Sequence, residues 1–212
     1  MKLKMIGLLA LLSVTGTVFA FDLGVNRTFH IQDGEKHSGS LNTINGSIKI
    51  GRACSVRGTC RTINGKIVVG DESRVKGLET INGNIDIDHN ARIMHDVKSI
   101  NGHIHAREGC IISGDINTIN GNIDLRGAVV DGDVTTYNGD MNLNGKSRID
   151  GDIIIKPNKD HSNRHKILTI VLKDQAVIMG DIIVKDKDRR VEVIIQDRAR
   201  VKGEIINANL LK

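Results

Sequence analysis

The sequence predicts an all-β fold: a single right-handed parallel β-helix, or β-solenoid, built from coils of 18–19 residues. Three observations carry this. Nearly the same phrase recurs as TINGNIDI at 80–87, SINGHIHA at 99–106 and TINGNIDL at 118–125. The residues that open each copy, Thr43, Thr62, Thr80, Ser99, Thr118 and Thr136, follow one another at intervals of 18 or 19. Within a copy the apolar residues alternate, as in Ile85/Ile87 and Ile123/Leu125; this is strand spacing rather than the 3.6-residue period of a helix. A unit this short cannot bury an apolar face alone, so its copies must stack on one another.

Aligning the copies produces vertical columns. One holds small residues: Cys54, Ser73, Ala91, Cys110, Ala128, Ser147, Ala176 and Ala199. Two residues on stand Val56, Val75, Ile93, Ile112, Val130, Ile149, Ile178 and Val201. Further columns run through Cys60, Leu78, Val97 and Ile116, through Ile67, Ile85, Ile104 and Ile123, and through Val69, Ile87, Ala106 and Leu125. Ile63, Ile81, Ile100, Ile119 and Tyr137 complete the set and are expected to point inward. The resulting steps around one coil from Cys54 are 2, 4, 3, 4, 2 and 4; this irregularity suits a right-handed helix better than a left-handed hexapeptide helix. Asn-Gly is expected to bend the chain, with asparagine tolerating the left-handed region and glycine a positive φ. Stacking Asn45, Asn64, Asn82, Asn101, Asn120 and Asn138 at that corner predicts a ladder of side-chain amides.

The chain has 212 residues. Residues 1–20 have a basic start at Lys2 and Lys4, an apolar run and small residues at Val18 and Ala20, the build of a cleavable export signal. Its run is too short for a membrane span, and no later stretch supplies the ~20 apolar residues that one needs. Loss of the two lysines takes the formal net charge from +5 to +3, too little to argue for nucleic acid as a partner. Residues 21–42 are expected to form a capping segment or partial coil, with Glu35 and His37 where small and branched residues belong. Residues 43–155 form the regular coils. Residues 156–212 keep the core phrase but carry polar loops at 156–166 and 185–190, and NANLLK is expected to fold over the last coil as a cap.

Candidate chemistry sits on the outward columns. Asp86, His105 and Asp124, beside His103, place an imidazole among carboxylates at strand spacing, the residue types of acid–base catalysis; a solvated, charge-paired sheet face is the competing reading. Asp115, Asp133 and Asp152, in file with Asp96, Asp181 and Glu204, offer hard oxygen ligands to a cation, against the role of turn carboxylates bonded to backbone amides. His161 and His165, with Asp160 nearby, have a metal-like spacing within a loop composition. Cys54 and Cys60 share a coil and are the one candidate disulfide pair; as buried small hydrophobes, the three cysteines need no partner. No motif for a cofactor is present.

The phrase small-x-Val/Ile-x-Gly-Asp-Ile, as in AVIMGDI at 176–182 and ARVKGEI at 199–205, resembles the repeat of bactofilins. Those are cytoplasmic bacterial proteins whose right-handed β-helices stack end to end into filaments. The resemblance implies self-association through the terminal coils. The export signal and the TING corner depart from that family, so the expected setting is the periplasm or the cell exterior. The expected role is a non-catalytic envelope scaffold, with self-association, an envelope protein or a glycan as partner. The alternative is a carbohydrate-binding or polysaccharide-degrading β-helix. Against it stand six consecutive coils without an insertion and a scarcity of aromatic side chains, which usually grip sugars: beyond the leader only Phe21, Phe29 and Tyr137 remain.

Overall fold

The computed structural model describes residues 21–157, 167–186 and 188–211, the first three by their backbone alone. Among them are 27 short strands and no helix. The strands stack in parallel into a β-solenoid of about nine turns, with coils about 19 residues apart. Each coil contributes to three strand files. In one coil these are Arg92–Ile93, Val97–Ser99 and Ile104–Ala106. The register holds from coil to coil: Ile93 faces Val75 and Ile112, Val97 faces Leu78 and Ile116, and Ile104 faces Ile85 and Ile123.

The core follows from that register. Each inward side chain lies on its equivalent one turn away, so Val75, Ile93, Ile112, Val130, Ile149 and Ile178 form one fully buried stack. Burying one such side chain stabilises the fold by roughly 1.5–3 kcal/mol, and the repeat multiplies this along the rod. The β-branched side chains suit a pleated surface covered on its inner face.

Three expectations about the corners and ends are corrected. The isoleucine of TING does not point inward. Ile100 and Ile119 are among the exposed large apolar residues, and Ile63, Ile81 and Tyr137 are half-buried. The inward residue is the preceding Thr or Ser, with Thr62, Thr80, Ser99, Thr118 and Thr136 buried. Its hydroxyl makes this tolerable: that of Thr62 donates to the Gly46 carbonyl at 2.7 Å, and that of Ser99 accepts the Gly102 N–H at 2.9 Å. The Asn-Gly steps do not use the left-handed region either. Positive φ recurs at another corner, at Ala53, Glu72, Asn90, Gly109 and Gly127, and on the TING file at Asn26, which no glycine follows. Glycine is needed in TING because a Cβ on Gly102 would overlap the carbonyl oxygen of Gly83 one coil away, and the same holds for Gly65, Gly83, Gly121 and Gly139.

At the ends, Phe21–Gly24, Phe29–Ile31 and Lys36–His37 pair in parallel with the strands of the next turn, so the start takes part in the stack as a coil. His37 takes the inward register opposite Val56. Asn209–Leu211 does not fold across the last coil; it pairs in parallel with Val191–Ile195 and adds one more rung.

Gly102→Ala is expected to destabilise the protein by about 2 kcal/mol or more, since the neighbour it meets is backbone that cannot step aside. Urea unfolding of the two proteins measures this directly.

Candidate functional site

Placed on this frame, the polar side chains singled out above fall into vertical files, and most are tied to the next coil. The asparagine ladder is continuous. Asn64 donates to Asn45 at 2.7 Å, Asn82 to Asn64, Asn101 to Asn82 and Asn120 to Asn101 each at 2.8 Å, and Asn138 to Asn120 at 2.7 Å. Two members extend it. Asn45 donates to Asn26 at 2.8 Å, and at the far end Arg189 Nη1 donates to the oxygen of Asn138 at 2.7 Å. Asn26 stands 19 residues before Asn45, so the period was the signal for it. Arg189 lies 51 residues beyond Asn138 in the 185–190 insertion, where no period announces it. Its guanidinium is buried, with Nε and Nη2 unpartnered among the described residues.

The acidic file is a second ladder. The backbone N–H of Asp115 donates to Asp96 Oδ1, that of Asp133 to Asp115, that of Asp152 to Asp133, and that of Asp181 to Asp152, all between 2.8 and 3.1 Å. The N–H of Glu204 closes it on Asp181. Each carboxylate thus satisfies a corner amide of the following turn. Among the described residues no three His, Cys, Asp or Glu side chains converge as a metal site requires. At the start of this file, a hydrogen bond from Lys98 holds the Asp96 carboxyl below its ordinary value of 3.8, and the same bond raises Lys98.

His103 belongs to a third ladder. Its N–H donates to Asn84 Oδ1 at 3.0 Å, and its Nδ1 accepts the N–H of Asn122 at 3.0 Å. The arrangement fixes the tautomer, because an acceptor at Nδ1 leaves the ring proton on Nε2. His105 lies on a neighbouring file in register with Asp86 and Asp124. Its Nδ1 is 3.6 Å from an Asp124 oxygen; Asp86 also pairs with Lys66, and Asp124 accepts from Asn142 at 2.7 Å. Asp86, His105 and Asp124 therefore share one strand face with His103 on the ladder beside them, an open surface and not a pocket. His161 and His165 lie outside the described residues.

Cys54, Cys60 and Cys110 are free and buried. Burial pushes the Cys60 thiol up to about 12 and that of Cys110 to about 11, so neither supplies a thiolate at neutral pH. The concavities of the rod are shallow grooves between side-chain files. One is bordered by Lys98, Ile100, Ile119, Tyr137 and Lys156, another by Arg57, Arg74, Lys76, Met94 and His95.

These features define a β-solenoid with internally bonded polar ladders. Compared with known proteins, the chain matches no family model, no curated protein and no solved structure. No helix among the described residues is long and apolar enough to cross a membrane.

Because its folded-state value is depressed, Asp96 contributes stability that is present above about pH 4 and lost as pH falls through that lower value. Asp96→Asn retains the acceptor for the Asp115 amide while removing the charge. It is expected to cost at most about 1 kcal/mol at pH 7, since the pair is partly exposed. It is also expected to make the loss of stability between pH 5 and 3 shallower, as read by unfolding midpoints at both ends of that range.

Proposed function

We propose that the protein is a non-catalytic scaffold of the bacterial envelope, exported by its leader and self-associating end to end through its terminal coils. The observation that carries this reading is the state of the last described coil. Val201, Ile205 and Leu210 continue the inward columns of Ile178, Ile182 and Val193. Those three predecessors are fully buried, whereas Leu210 is 45% exposed. The strands Arg200–Val201, Ile205–Ile206 and Asn209–Leu211 are hydrogen-bonded on one side only among the described residues. An apolar cross-section rimmed by unpaired strand edges is the template on which another solenoid coil adds. The ladders support the same reading: the carboxylates, the imidazole of His103 and the amides that acid–base or metal chemistry would use are instead bonded along the rod.

The protein is expected to form rods that lengthen with concentration, by light scattering coupled to size exclusion and by electron microscopy. Leu210→Lys, which places a charge on the terminal cross-section and leaves the inner coils untouched, is expected to shorten them. A wild-type protein that stays monomeric at every concentration, or a variant that assembles like wild type, would sink end-to-end assembly.

A further inference from the structure

On two of the three strand faces, several outward cations are matched to carboxylates. Arg61 meets Glu79 at 2.7 Å and Lys98 meets Asp96 at 2.7 Å on one face; Lys66 pairs with Asp86 on another. The remaining face breaks this habit over its first four coils. Lys36, Ser55, Arg74 and Arg92 lie in one register file. Arg57 and Lys76 stand two residues further along their strands, flanking the same groove, where Met94 and His95 succeed them. None of these five cations has an ion-pair or side-chain hydrogen-bond partner among the described residues, and all five are exposed. Arg74 and Arg92 are directly opposite one another, an arrangement that costs stability in a sheet. The acids that flank these strands in sequence lie on the bordering corners rather than on the face: Glu35 accepts the Gln32 amide, Asp96 is held by Lys98, and Glu72 sits at a left-handed turn.

We propose that this strand face, from Lys36 to Arg92, is a binding surface for a linear acidic polysaccharide. The cations repeat along the rod axis at the ~4.8 Å strand spacing, over ~14 Å from the first to the fourth coil, and so match a partner whose carboxylates repeat along an extended chain. Arg57, Arg74 and Arg92 offer planar forks that take carboxylate oxygens two at a time. The groove they border contains no Phe, Tyr or Trp side chain, so neutral sugars lack the broad apolar faces that usually grip them, and His95 is its one aromatic ring. Met94 is the one large exposed apolar residue bordering it, which is too little to anchor the face in a lipid surface. This surface reaches the first coil only at Lys36, and Arg74, Lys76 and Arg92 lie in inner coils, so replacing those three leaves both ends proposed for assembly untouched.

The test is binding of fluorescently labelled polygalacturonate to the purified protein by anisotropy, with dextran as the neutral control. Binding that weakens steeply with salt is expected, with none to dextran. The triple variant Arg74→Gln/Lys76→Gln/Arg92→Gln is expected to lose about tenfold or more in affinity. Its melting temperature should equal or exceed that of wild type, because like-charge repulsion is relieved; a merely structural role for these residues would lower it. Lys146→Gln/Lys173→Gln/Arg198→Gln removes the same charge from exposed sites elsewhere and should bind as wild type does. Equal loss in both variants, no binding by wild type, or tighter binding to a single-stranded oligonucleotide or to anionic vesicles would overturn the proposal. Unchanged assembly in the first variant would keep the two proposals separate.

Discussion

Every level of this molecule depends on one constraint: a residue must bond to, and pack on, its own equivalent a turn away. Backbone amides donate across coils along the rod, from Phe29 to the Ser47 carbonyl near one end and from Lys202 to the Ile178 carbonyl near the other. Because the strands are parallel and closely spaced, whatever side chain occupies a position meets the same position above and below. Apolar residues profit from this directly. Polar residues must either bond along the file or alternate in charge, and the chain does both.

The ladders show how a narrow solenoid satisfies its corners. The chain turns three times per coil, and each turn strands amides that a sheet would otherwise pair. Asparagine side chains bond one another at the TING corner, while at the Gly-Asp corner each carboxylate accepts the amide of the next turn. His103 performs that second task between Asn84 and Asn122, which explains how a histidine enters a file whose neighbouring acceptors are asparagines. A ladder also needs an end. Arg189 provides it at Asn138, from an insertion in a part of the chain that has lost the TING phrase. Residues of this kind resemble active-site groups in composition, yet their hydrogen-bonding capacity is directed along the rod.

The chemistry left over for partners is therefore found where the files are not self-satisfied. One such place is the last described coil, where Leu210 of the inward column is exposed. Another is the face from Lys36 to Arg92, where cations stack without carboxylates. A third contrast lies in the outward positions of the later coils, where Ile154, Ile183 and Ile206 succeed the charged Arg61, Glu79 and Lys98 of the earlier ones. The two halves of the rod thus present different surfaces on one continuous core.

Period and alternation alone determined the fold class, the coil length, the inward columns and the asparagine ladder, because in a solenoid each contact is made between residues one repeat apart. The face of the TING isoleucine was not legible in this way. Thr and Ile are both β-branched and both repeat, and only the close approach of Gly102 to Gly83 decides that the hydroxyl residue turns inward, where it bonds the turn. The reason for glycine itself was likewise tertiary, a matter of space between coils rather than of backbone dihedral. Columns of Asp and His read equally well as reactive groups or as ladder members, since sequence places them on one file but does not say which atom faces which. Arg189 was hidden for the opposite reason: its contact spans 51 residues and obeys no repeat. What repeats could be read from the chain, and what ends, borders or interrupts the repeat was decided only by the folded structure.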